Sequence, residues 1–155
     1  MSEERRIRRN RLHALLLAIL VGFWTAMFTG THVPHLPLDA FPANFDKVLH
    51  WSANCGLAFL IAVWLSTGRR VGLKELGGIL GVVCAYAIFD ELSQVPVGRD
   101  CEFLDAVADC AGGMTGLAAF VALRSAVKRL AAARASGRGR ARPACESPAD
   151  VVSVY

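Results

Sequence analysis

Residues 46–65 read DKVLHWSANCGLAFLIAVWL, and the reading of this stretch decides the fold. From Val48 to Leu65 it holds no acidic residue and no arginine, yet Asp46, Lys47, His50 and Asn54 crowd its first turns. A helix needs about 20 mostly apolar residues to cross the hydrocarbon core of a bilayer, and this run approaches that length. Three further apolar runs accompany it: Leu12–Phe28, Leu76–Phe89 and Leu104–Leu123. The third is short unless Asp90 and Glu91 belong to its last turn, and the fourth must carry Asp105 and Asp109 in its first turns. A soluble bundle would show a polar stripe along each helix; the middles of these runs show almost none. The expectation is an all-α, polytopic membrane protein built as a four-transmembrane-helix bundle.

The chain has 155 residues, is 54% hydrophobic and carries a formal net charge of +4. Basic residues precede the first run, as they would in a secretory signal, but the run is long for such a core. A loop with Pro34, Pro37 and Pro42 follows it, not a plain cleavage box. The distribution of the bases is informative. Arg5, Arg6, Arg8, Arg9 and Arg11 precede the first run; Arg69, Arg70 and Lys74 join the second to the third; Arg124, Lys128, Arg129, Arg134, Arg138, Arg140 and Arg142 follow the fourth. The other connections hold Lys47 and Arg99 as their only bases, beside Asp39, Asp46, Asp90, Glu91, Asp100 and Glu102. Cytoplasmic flanks collect Lys and Arg, so both termini are expected in the cytoplasm and the polar ends of the helices outside. Residues 1–11 then form a basic cytoplasmic arm, 12–130 the membrane domain and 131–155 a flexible cytoplasmic tail. Attraction to anionic lipid headgroups accounts for the basic tail, and nucleic-acid binding is not expected. Of the cysteines, Cys55, Cys84 and Cys110 sit in apolar runs as small packing residues, and an odd total of five argues against a disulfide framework. Cys101 and Cys110 could approach across the polar edge.

Local signals set the element boundaries. Thr29-Gly30-Thr31 interrupts the first run near Phe28, and the three prolines favour an irregular cap over His32–Asn44, with Leu36, Leu38 and Phe41 at the headgroup boundary. Asn44 or Asp46 is placed to cap the second helix, and Thr67-Gly68 to close it. The third helix is expected from Leu73–Leu76. Gly112-x-x-x-Gly116 gives the fourth a smooth contact face. Ser136–Pro148 is expected to be disordered.

Residues three or four apart share a helix face. Asp46, His50 and Asn54 therefore form one stripe, with Lys47 beside His50. Asp90 and Gln94 stack on the third helix, with Glu91 about 100° away, and Asp105 and Asp109 stack on the fourth. Charges inside membrane segments usually face a bundle interior or a water-filled pocket. Asp46 and Lys47 also have a plain reading as interface markers, Glu91 as an end-of-helix acid and Asn54 as a helix–helix hydrogen bond. Asp109 and His50 lie deeper and favour function. His32 or His35 could lean over the pocket, and Arg99 is the obvious positive partner.

The string Asp46-Lys47-Val48-Leu49-His50 resembles the VanZ-like family of small bacterial membrane proteins. So do Asp90-Glu91-Leu92-Ser93-Gln94 with Val97-Gly98-Arg99, and Leu104-Asp105-Ala106-Val107-Ala108-Asp109 with Gly112 and Gly116. The resemblance covers roughly Phe45–Gly116. Cys101-Glu102-Phe103 departs from it where small polar residues are usual, and Trp51 stands where phenylalanine is familiar. The resemblance implies a multi-pass protein of the bacterial cytoplasmic (inner) membrane. The namesake of the family is associated with low-level teicoplanin resistance, a role that many members do not share.

Three functions follow as expectations. In the first, the site binds or processes an anionic, lipid-linked envelope substrate, such as a polyprenyl phosphate or a peptidoglycan precursor. His50, Asp109, Asp105, Asp90 and Glu91 are then the candidate catalytic groups, and Lys47, Arg99, Asp46, Gln94 and Asn54 the candidate substrate contacts. Lys47 and Arg99 would clamp phosphate and His50 or a carboxylate would move protons. A divalent cation is compatible with these oxygen and nitrogen donors, although the spacing matches no recognised metal motif. In the second, the protein is a structural or accessory membrane component whose charges pair internally. In the third it transports ions, which four helices do poorly alone.

Overall fold

The structure is a computed structural model and describes residues 3–33, 42, 44–98 and 101–140, the last four of them by backbone alone. Among these residues there are four α-helices: α1 (Glu3–Thr31), α2 (Phe45–Gly68), α3 (Leu73–Gln94) and α4 (Phe103–Arg140). A 3-10 turn, Val95–Val97, follows α3. Each helix contains a stretch long and apolar enough to cross a membrane. At 1.5 Å per residue the shortest, α3, is about 33 Å long, enough for a hydrocarbon core of about 30 Å.

Local chemistry explains most of the boundaries. α1 does not wait for Leu12 but runs through the arginine stretch from Glu3. Arginine is a good helix former, and once a helix is nucleated each further residue adds cheaply. Glu3 and Glu4 sit in its first turn, where the helix dipole favours acids. Asn44 takes the N-cap position of α2 in a left-handed conformation (φ 67°) with no side-chain capping bond. Asp46 serves the helix dipole from the first turn. α2 ends at Gly68, with the Arg69 N–H donating to the Leu65 carbonyl at 3.1 Å. Before α3 the Gly72 N–H donates to Glu75 Oε2 at 2.9 Å, which satisfies a donor that the helix start would leave bare. α3 carries Asp90, Glu91 and Gln94 within its last turns. Pro96 and a left-handed Gly98 (φ 80°) then end the helical course.

The first unit, Met1–Val121, holds the bundle. Its core is narrow and made of small or branched residues: Ala58, Ala62, Val83 and Ala87 are fully buried, with Leu57, Ile79, Leu117 and Phe120 beside them. Larger apolar side chains point outward on every helix, among them Leu15, Ile19, Val48, Val82, Ile88, Phe89 and Leu104. For a water-soluble protein that surface would be untenable; in lipid it is the expected exterior.

Contacts fix an up–down course. His13 Nδ1 lies 2.7 Å from Thr67 Oγ1, and its ring stacks on Trp64 at 5.0 Å, so the start of α1 meets the end of α2. Thr31 Oγ1 donates to Asp90 Oδ1 at 3.2 Å, joining the ends of α1 and α3. Against α2, α4 packs at backbone contact: a Cβ added at Gly112 would lie 2.1 Å from the Trp51 carbonyl oxygen, and one at Gly116 2.1 Å from that of Cys55. The glycine pair read from the sequence is therefore the α2–α4 seam.

A second unit begins at Ala122. Its described part is exposed helix carrying Lys128, Arg129 and Arg134 beside Val127 and Leu130. Ser136–Arg140, expected to be disordered, continues that helix. The rest of the tail, with Cys145, lies outside the described residues, as do Pro34, Pro37 and the apolar residues expected at the headgroup boundary.

Candidate functional site

The last turns of α1 and α3 and the first turns of α2 and α4 form one end of the bundle, and there the polar residues meet. His50 is 7% exposed, Asn54 and Glu91 3% each, and Asp109 1%. Asp109 lies six residues into α4, about 9 Å along the helix at 1.5 Å per residue. Burying a carboxylate at that depth is costly unless it is paired and hydrogen-bonded. His50 Nδ1 lies 3.1 and 3.3 Å from the two Asp109 oxygens, and Asn54 Nδ2 donates to Asp109 Oδ1. Thus the α2 stripe and the α4 acid face each other across the glycine seam. The close backbone approach at Gly112, just beyond Asp109, permits the contact.

The neighbouring acids of α3 divide between two directions. Glu91 turns toward α2 and the start of α4: its Oε1 is 3.9 Å from His50 Nδ1, and its Oε2 accepts the Glu102 N–H at 3.1 Å. Asp90 turns toward α1, accepting from Thr31, from Tyr86 Oη at 3.0 Å and from Gln94 Nε2 at 3.1 Å. Gln94 Nε2 also reaches Glu91 Oε1 at 3.4 Å, tying the two acids together. The angular separation of about 100° between adjacent helical residues sends them to different partners.

Lys47 is the centre of a second, less buried group. Its ammonium lies 3.0 Å from Asp46, 2.8 Å from Glu102 and 3.1 Å from Asp105. Lys47 therefore neutralises acids from the start of α2, the start of α4 and the residue just before α4. Two acid-rich groups have donor atoms close enough together to suit a divalent cation: His50, Glu91 and Asp109, all buried, and Asp46, Glu102 and Asp105.

Of the residues singled out in the sequence, Asp46, Lys47, His50, Asn54, Asp90, Glu91, Gln94, Asp105 and Asp109 all lie at this end. Arg99 and His35 lie outside the described residues. His32 is held at the α1–α3 edge, its Nε2 2.9 Å from Ser93 Oγ and its ring against Phe28. Three contributors were missed. Tyr86 stands four residues before Asp90 and was findable by the same helical spacing. Thr31 and Glu102 gave no local signal, because their partners are 59 and 55 residues away. Cys110 meets Cys84 on α3 through their thiols, while Cys101 is exposed.

A cavity of about 420 Å³ opens onto this end, between α1 and α2. Phe23, Ala26, Met27, Leu49 and Ala53 give it an apolar wall, while Thr31, Asp46, His50, Asn54 and Asp90 supply its polar part.

Fold and site together define a polytopic membrane protein with a buried, acid-rich polar cluster at one end of a four-helix bundle. No protein-family model, curated protein or solved structure matches the chain.

Proposed function

We propose that this protein binds an anionic, lipid-linked substrate of the bacterial cell envelope at the outer face of the cytoplasmic membrane. The supporting observation is the cavity between α1 and α2, apolar along Phe23, Met27 and Leu49 and ending on His50, Asn54 and Asp90. An amphiphile with a long hydrocarbon chain matches that division, its tail along the apolar wall and its head at the polar cluster. His50, oriented by Asp109, has the arrangement of a general acid–base group, so the same site can process the head it binds. Arg99 is assigned to the phosphate. The outward orientation rests on the positions of the arginines, and the bacterial setting on the resemblance of residues 45–116 to VanZ-like proteins.

The test is a lipid inventory of the purified chain, intact and as Asp109→Asn. We expect a polyprenyl phosphate or a related phospholipid to co-purify with the intact chain and to fall at least tenfold in the variant. Equal retention by both would remove Asp109 from recognition.

A structural reading has one observation in its favour: Lys47 is matched by three carboxylates and Asp90 by three donors, as in a network that fixes helix register. On that reading Asp109→Asn weakens the fold, and a repaired charge balance restores function.

A further inference from the structure

The buried group at the centre of the site has an imbalance that the second group lacks. Glu91 and Asp109 bring two carboxylates into a nearly water-free space, and among the described residues their ion pairs lead to the same base, His50. A protonated imidazole cancels at most one of the two charges, and an uncompensated buried charge is strongly unfavourable. The Asp46, Glu102 and Asp105 group, by contrast, already has the Lys47 ammonium at its centre. A second cation there would meet like-charge repulsion.

An independent observation points the same way. Asn54 Oδ1 is buried and has no hydrogen-bond donor among the described residues. The amide cannot relieve this by turning over, since its Nδ2 donates to Asp109 and a flip would press one oxygen against another. Oδ1 shares its carbon with that Nδ2, so it borders the cluster, on a residue that lines the cavity with His50. A buried amide oxygen with no donor is costly, and as a ligand to a cation the cost disappears.

We propose that His50, Glu91 and Asp109, with the Asn54 side-chain oxygen as fourth donor, bind a divalent first-row transition ion. The three principal donor atoms lie within 4.8 Å of one another. Two ligands at about 2.2 Å from one ion are at most about 4.4 Å apart, so small side-chain rotations complete the site. One imidazole nitrogen among oxygens selects zinc, manganese or ferrous iron over magnesium or calcium. A divalent ion matches the two carboxylates in charge and brings the buried group to balance. Metal binding stands without the substrate proposal. Only the further step, in which the ion meets a phosphate at the polar end of the cavity, rests on it.

The experiment uses the full chain in detergent micelles, stripped with chelator, reloaded with zinc alone and separated from free metal by gel filtration. One zinc per chain is expected, with X-ray absorption showing a single imidazole and oxygen ligands. Glu91→Gln and His50→Ala should each weaken zinc binding by at least about 10–100-fold, since loss of an outer-shell partner alone costs that much. Asp46→Asn should leave it unchanged. Zinc bound through sulfur would assign the metal to Cys84 and Cys110 and overturn the proposal, as would zinc loading that survives His50→Ala. Failure of the intact chain to hold zinc would overturn it too. Because the absorption spectrum is read on the unaltered chain, a variant that misfolds leaves the proposal open to refutation. Lipid retention is measured separately, so loss of one result does not decide the other.

Discussion

Lys47 is the residue at which the functional and structural readings separate most cleanly. Its ammonium lies within 3.1 Å of three carboxylates, and two of the three, Asp46 and Asp105, are themselves largely shielded from solvent. Removing the ammonium leaves Asp46, Glu102 and Asp105 facing one another with oxygens within 4.8 Å. Lys47→Met should therefore lower stability in detergent by about 1–3 kcal/mol, between the values for exposed and for buried ion pairs. The double variant Lys47→Met/Asp105→Asn removes one of the opposing charges and should recover most of that loss. A thermal-unfolding series of the four chains measures the coupling directly. If lipid retention returns with stability in the double variant, Lys47 acts through the fold. If stability returns and lipid does not, the ammonium itself touches the substrate.

At the scale of the helices, the seam between α2 and α4 decides whether His50 and Asp109 can meet. Gly112 and Gly116 lie one turn apart and rest on the Trp51 and Cys55 carbonyls, at distances no side chain can share. Gly112→Ala and Gly116→Ala should each cost about 1–3 kcal/mol or more through overpacking. Gly77→Ala and Gly78→Ala meet nothing within 4 Å and should be neutral or stabilising by up to about 1 kcal/mol, since glycine is the poorer helix former. Thermal midpoints in one detergent compare the two pairs. Equal effects in both would mean that the seam is not at backbone contact. The glycine spacing, the stripe of Asp46, His50 and Asn54 and the stacking of Asp105 on Asp109 were all legible in the sequence, because helical periodicity turns spacing into a shared face. What spacing cannot report is which faces meet. Hence Glu102, read as one acid of an outer connection and a departure from a family pattern, pairs with Lys47, and Thr31 holds Asp90. The end of α3 was ambiguous for a related reason. Apolar length suggested a stop at Phe89, but partners on α1, on α2 and at Glu102 just before α4, with bonds among themselves, make Asp90, Glu91 and Gln94 acceptable as buried helical residues.

For the whole molecule, the course of the first unit puts the start of α1 and the α2–α3 connection at one end of the bundle and the acid-rich cluster at the other. The direction across the bilayer is argued from charge. Arg5, Arg6, Arg8, Arg9 and Arg11 flank the first span, and Arg69, Arg70 and Lys74 join the second to the third. Cytoplasmic flanks favour Lys and Arg, and the proposed orientation turns these ends inward on that ground. Cys101 is exposed and lies just before α4, at the acid-rich end. With Cys145→Ser in place, a membrane-impermeant maleimide added to intact cells should modify Cys101 without permeabilisation. In the Cys101→Ser background a cysteine introduced at Arg70, an exposed position in the α2–α3 connection, should react only after the membrane is opened. The reverse pattern would turn the His50–Asp109 cluster toward the cytoplasm. It would leave the bundle and any metal affinity untouched, but any substrate would then have to enter from the inner leaflet.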